Sequence, residues 1–242
     1  MDSHLLAFLL LVAVPAWDWL EVRLLRRSTS PQARRNFYLR VIGVLWALTG
    51  LACLLVPLST LMAAPVFAQG LPRQPFPHFA PSPVIVVALL FALLAPVLLC
   101  MAHRPTRARF MAAFDAIDFL LPRKASEYWL FAAVAVTAGI CEEILYRGFL
   151  FHYLAEGQWQ LSLGPVLFLT SVAFGLAHIG QGWKQLLATP LIGLGLGFLF
   201  LGTGSLLLPI LLHVSIDLRA LAFAMMRSGS VHPPTLSSNG VP

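Results

Sequence analysis

Residues 128–152 read YWLFAAVAVTAGICEEILYRGFLFH. From Tyr128 to Cys141 there is no charge, and after Gly148 the chain is apolar again. At about 1.5 Å of rise per residue, such a run crosses the roughly 30 Å of hydrocarbon in a bilayer. It also carries Glu142, Glu143 and Arg147 where lipid would lie. An ionisable side chain at a helix centre costs about 2.5–3.5 kcal/mol to insert, so three in one run require partners or a function.

The composition agrees with a membrane helix. Of 242 residues, 59% are hydrophobic and 11% charged, against about 25% charged in soluble domains. Too little charge is present to cover a soluble globule of this size. The fold class read from this is all-α, a polytopic transmembrane helical bundle. Seven segments are apolar enough to span, near 4–22, 38–62, 84–102, 128–150, 162–180, 185–203 and 205–226, and an eighth or a re-entrant segment stays open. The first run, Leu5 to Leu20, lacks a basic stretch before it and reads as a membrane helix, not a cleaved signal.

The net charge of +6 has a positional explanation. Arg23, Arg26, Arg27, Arg34, Arg35 and Arg40 fall in one interval, and Arg104, Arg107, Arg109, Arg123 and Lys124 in another. Basic and poor loops alternate, which puts the N-terminus outside and, with seven spans, the C-terminus inside. No soluble face with aromatic or polar readers accompanies the charge, so nucleic acid is not an expected partner. The segment 103–127 has Phe110, Phe114, Ile117 and Leu121 near helical spacing, as in a helix lying on the membrane surface. The expected organisation is N-terminal membrane helices with basic loops over 1–127, a core of later helices over 128–227 and a disordered tail over 228–242.

Cys53, Cys100 and Cys141 form no CxxC pair and lie in apolar runs, which argues against disulfides and zinc fingers. Gly193, Gly195, Gly197, Gly202 and Gly204 do not make a dinucleotide fingerprint, because Phe198 stands where its third glycine belongs; they read as close helix packing. HExxH and GxSxG are both absent.

Three apolar segments carry the costly groups: Glu142, Glu143 and Arg147 on one, His178 on the next, His213 and Asp217 on the last. Glu143 and Arg147 are four residues apart and can pair. Glu142 lies about 100° round the helix from Glu143, free for another partner. His213 and Asp217 are also four apart, so the carboxylate could fix the imidazole tautomer. His178 has no charged neighbour on its own segment and needs one from another helix. Singly, each group has a structural explanation: an ion pair, a packed histidine. Jointly, two glutamates, two histidines and an aspartate on three helices call for a meeting point. Such a set could activate water, with a glutamate as general base, or hold zinc through His and carboxylate with an open position. Asp18, Glu21 and His103 lie near segment ends and read as interfacial; Cys141 reads as packing, and His152 as a neighbour of the site. The span boundaries set Glu142 and His178 at depths differing by ~10 Å, which tilting, a helix reaching about residue 154 or a broken segment would reconcile.

The joint pattern resembles the CAAX protease and bacteriocin-processing family of intramembrane proteases. Its three motifs, EExxxR, FxxxH and HxxxN or HxxxD, correspond here to Glu142-Glu143 with Arg147, Phe174 with His178, and His213 with Asp217. Gly148 and Phe149 also resemble the run that follows the arginine in that family. The resemblance covers about 135–220. It implies an endopeptidase working within the bilayer on membrane-anchored proteins, prenylated CAAX tails among them; the size of the chain and its lack of eukaryotic-type extensions lead to the expectation of a bacterial inner membrane. It implies that Glu142 and Glu143 belong to the catalytic set, with Glu142 as base, His178 assisting, and His213 and Asp217 stabilising the oxyanion. Arg147 and Phe174 would support them. The family is described both as metal-dependent and as a glutamate-type protease; in the first case Glu142, His178 and His213 are the ligand candidates for zinc. Asp217 stands where many members have asparagine. An ionised aspartate cannot donate to an oxyanion, which favours Asp217 orienting His213 or staying protonated. Two other functions remain: a non-enzymatic immunity or interaction protein, and a proton or ion carrier.

Overall fold

The computed structural model describes residues 2–65, 95, 97–103, 105 and 115–228. Helix α1 spans Ser3–Arg27, with a π turn at Leu9–Ala13. Asp2 caps it, accepting the amide of His4 at 3.2 Å. Helix α2 is Ala33–Leu55 and a single short turn, α3, is Leu58–Leu61. Helix α4 is Ala125–Ala155, with a π turn at Glu143–Phe149. Helix α5 is Leu163–Leu176, α6 is Trp183–Thr203 and α7 is Leu207–Ser228. Among the described residues no strand forms beyond an isolated bridge between Ala63 and Ser205.

Helices α1, α2, α4, α6 and most of α7 are long and apolar enough to cross a membrane. Their outer faces are apolar too: Leu54 is 85% exposed and Trp129 83%. Side chains of that kind facing outward suit lipid, not water. The all-helical bundle read from the sequence is therefore observed.

Boundaries differ in instructive ways. The expected span 38–62 starts earlier, at Ala33, and ends at Leu55 before Pro57, which cannot extend the helix. The expected span 162–180 is corrected. Helix α5 stops at Leu176, and its 14 residues cover about 21 Å, short of a bilayer core. Residues His178 to Gly182 instead turn, through a 3-10 turn at Ile179–Gln181 and Gly182 at φ +108°. A positive φ is where glycine is at little disadvantage. The expected span 84–102 and the expected surface helix lie mostly outside the described residues; the described end of the latter is a 3-10 turn at Asp115–Leu120. The tail beyond residue 228 lies outside them as well.

One end of the bundle gathers the basic segments. Arg34 donates to the Phe119 carbonyl (3.2 Å) and to Glu127 (3.1 Å), and Lys124 to the Pro31 carbonyl (3.4 Å). Tyr38 donates to the Leu120 carbonyl. Glu127 also accepts the amides of Arg123 (2.8 Å) and Lys124 (3.3 Å), supplying acceptors that the first turn of α4 lacks. Leu121 packs on Ala220 and Ala224, so the C-terminal end of α7 lies beside the start of α4 and the two helices are antiparallel. Leu6 and Leu10 of α1 share one core with Leu145, Phe149, Phe174 and Phe200, which ties the first helix to the site-bearing ones.

Candidate active site

The site is built on α4, the turn after α5, and α7. Glu143 and Arg147 lie within the π turn of α4, and both are buried, at 0% and 1% exposure. Arg147 Nη1 donates to Glu143 Oε1 at 2.8 Å, and Nη2 to the Gly193 carbonyl at 3.1 Å. Its guanidinium lies 4.2 Å from the ring centroid of Phe174. The charge is thus paired, hydrogen-bonded and stacked, which is what a buried arginine requires. Gly193 allows this approach: a Cβ there would stand 3.1 Å from Arg147 Nη2 and 3.2 Å from Phe174 Cδ1.

Glu143 Oε1 also accepts from His213 Nδ1, at 2.8 Å. The imidazole on α7 is therefore oriented by α4. The expected orienter, Asp217, stands 3.8 Å from the other nitrogen, Nε2, beyond hydrogen-bond reach. The correction has a simple cause. A four-residue spacing permits a contact but does not compel one, and Glu143 makes the better bond.

His178 is fixed from its own backbone. Its Nδ1 lies 2.8 Å from the Phe174 carbonyl, which can only accept, so Nδ1 carries the proton. The Phe174 ring stands edge-on to His178 (5.0 Å), His213 (5.6 Å) and Tyr146 (5.3 Å). Phe174 thus walls both histidines and lies under Arg147.

With both Nδ1 atoms committed, the two Nε2 atoms face Glu142. His178 Nε2 is 3.9 Å and His213 Nε2 is 3.7 Å from Glu142 Oε2. The ~10 Å mismatch in depth disappears. Helix α4 extends to Ala155, and the early stop of α5 sets His178 in a turn beside it. Glu142 Oε2 is buried and makes no hydrogen bond, and neither does the Tyr146 hydroxyl. Buried polar atoms without partners are uncommon, and here they border the place where the three side chains converge.

Of the residues singled out in the sequence, Glu142, Glu143, Arg147, Phe174, His178 and His213 come together, with Asp217 at the edge. His152 does not join them: it bonds Glu156 (2.8 Å) and the Ala63 carbonyl (2.9 Å). Glu21 pairs with Arg40 at 2.6 Å. Asp18 was the residue underrated by sequence. It is 8% exposed and accepts the amide of Gly180, two residues past His178, at 2.8 Å. Its signal was present: a carboxylate inside the apolar run from Leu5 to Leu20.

Zinc takes imidazole nitrogen and carboxylate oxygen at about 2.0–2.2 Å, which sets tetrahedral ligand atoms about 3.4 Å apart. The 3.9 and 3.7 Å separations at Glu142 are wider, and among the described residues no group of three His, Cys, Asp or Glu is arranged to hold an ion. The donor types suit zinc; their spacing as placed does not.

Residues 124–219 match the family described as Type II CAAX prenyl endopeptidase Rce1-like. Comparisons with curated proteins and with solved structures return no match. The match spans α4 to most of α7 and contains all seven motif residues. Over these residues the helical core is therefore similar to the Rce1-like type II CAAX prenyl endopeptidases.

Proposed function

We propose that the protein hydrolyses a peptide bond of a membrane-anchored substrate within the bilayer, using water activated by Glu142. The observation that carries this is the convergence of Glu142 Oε2 with two imidazole Nε2 atoms whose Nδ1 atoms are otherwise engaged. The family match over residues 124–219 supports the proteolytic class; the residue roles rest on the geometry.

Water held between Glu142 and His178 attacks the scissile carbonyl carbon. Glu142 takes its proton as the carbon–oxygen bond forms. The carbonyl oxygen becomes an oxyanion. As an imidazolium held on Nδ1 by Glu143, His213 offers an Nε2–H to that oxygen. Glu142 then returns the proton to the amide nitrogen as the carbon–nitrogen bond breaks, giving a carboxylic acid and an amine. Glu143 and Arg147 touch none of the reacting atoms; they hold His213 and each other. Asp217, when ionised, can accept but not donate, so its place is beside His213 and not in the oxyanion hole.

The substrate class we propose is a lipid-anchored or prenylated C-terminal tail, and the location a bacterial inner membrane. All-helical spans and alternating basic loops support that location.

The test compares cleavage of a quenched farnesylated CAAX peptide by wild-type protein and by Glu142→Gln and His178→Ala in liposomes. Cellular membrane-protein termini are compared in parallel at matched expression. Cleavage and new termini that require Glu142 are expected. Full activity in both variants would sink the mechanism.

A further inference from the structure

The turn that carries His178 is held from outside the family-matched core. Asp18 and Arg26 of α1 grip Gly180 on both sides. Asp18 Oδ2 accepts its amide at 2.8 Å, and Arg26 Nη2 donates to its carbonyl at 3.5 Å. The backbones are close: a Cβ at Gly180 would stand 2.8 Å from both the Asp18 carbonyl oxygen and Oδ2, and 2.9 Å from Val22 Cβ. Only glycine lets the turn lie this near α1. Among the described residues its other backbone bonds run from the His178 amide to Gly175 (3.0 Å), from the Gln181 amide to His178 (3.0 Å), from the Gly182 amide to Ile179 (3.3 Å) and from the Leu186 amide of α6 to the Gly182 carbonyl (3.0 Å), so α1 and the start of α6 hold it from its two ends. The ring is set by the Phe174 carbonyl, but the position of the ring follows the backbone of the turn.

We propose that Asp18 is a positioning residue for His178: its bond to the Gly180 amide sets where His178 Nε2 stands relative to Glu142. The proposal rests on the reading of His178 as the partner of Glu142. It makes α1 part of the catalytic apparatus, although α1 lies wholly outside residues 124–219. A carboxylate is suited to the task, since an ionised acceptor makes a shorter and stronger bond to an amide than a neutral one. Losing it leaves a half-buried amide without its acceptor and loosens the turn. Reacting groups misplaced by an ångström commonly lose about 100-fold in rate.

The experiment uses the full chain in liposomes and two readouts. One is cleavage of the farnesylated CAAX peptide, resolved into kcat and KM. The other is the rate at which diethyl pyrocarbonate modifies His178, read by peptide mass spectrometry, which needs no turnover. In Asp18→Ala, kcat is expected to fall by about 10–100-fold with KM little changed, and His178 modification to quicken several-fold. Asp18→Asn keeps an oxygen for the Gly180 amide and brings both readouts back toward wild type. Should Asp18→Ala fail to insert, Gly180→Ala probes the same contact and is expected to quicken His178 modification. Wild-type modification rates in Asp18→Ala, or in Gly180→Ala where that variant stands in, would overturn the proposal. So would Asp18→Asn modified as fast as Asp18→Ala. A Glu142→Gln variant that still cleaves would instead overturn the hydrolytic reading and leave the modification result to be judged alone.

Discussion

His213 Nδ1 is bonded to Glu143 at 2.8 Å, across 70 residues of sequence, while Asp217, one turn along its own helix, stays 3.8 Å from Nε2. This assigns orientation to Glu143 and leaves Asp217 beside the reacting space. Glu143→Ala is therefore expected to lower kcat far more than Asp217→Ala. Asp217→Asn adds an amide donor where only acceptors stood, and is expected to raise kcat. Steady-state kinetics on the three variants decide it; equal losses at Glu143 and Asp217 would return the orienting role to Asp217.

Arg147 has two hydrogen bonds and a ring beneath it, all in a buried setting. Arg147→Ala breaks the buried pair with Glu143 and leaves the Gly193 carbonyl without its donor, and is expected to cost about 3–5 kcal/mol. Arg147→Lys is not a rescue, because one ammonium cannot reproduce the planar fork that reaches both Glu143 and the Gly193 carbonyl. Unfolding in micelles measures both; a lysine variant as stable as wild type would contradict this account.

The glycines of α6 are not equivalent. A methyl at Gly193 meets Arg147 and Phe174 at 3.1 and 3.2 Å, whereas at Gly195 nothing lies within 4 Å. Gly193→Ala is expected to destabilise by about 1–3 kcal/mol through overpacking and to lower kcat. Gly195→Ala is expected to gain roughly 0.5–1 kcal/mol from reduced chain entropy. Thermal unfolding of the pair checks the contrast, and similar shifts in both would dismiss it.

Water activation by Glu142 without a metal predicts full peptide cleavage after treatment with a membrane-permeant zinc chelator. Loss of cleavage, restored on adding zinc, would mean that Glu142, His178 and His213 draw closer than the 3.7 and 3.9 Å seen here to share an ion.

Much of this was legible in the sequence, for definable reasons. Charges in apolar runs are costly, so Glu142, Glu143, Arg147, His178 and His213 stood out before any geometry. Helical spacing correctly paired Glu143 with Arg147. The same rule failed for His213 and Asp217, because choosing among acceptors depends on which helix packs alongside. Asp18 was read as interfacial because it lies near the end of its apolar run. Its burial follows from the turn at Gly180, which no local pattern announces. The short α5 was hidden for a related reason: His178, Gly180 and Gly182 interrupt the helix, yet the apolar residues around them extend the hydrophobic signal past its end.

The contacts that make the site also date it within the life of the chain. Asp18 must meet a turn 162 residues later, and Glu143 a histidine 70 residues later. A nascent chain inserted only through α4 has its glutamates but neither imidazole, and one inserted through α6 still lacks His213. The site is thus incomplete until α7 enters the bilayer, so the groups that converge on Glu142 stay apart while the chain is still being made.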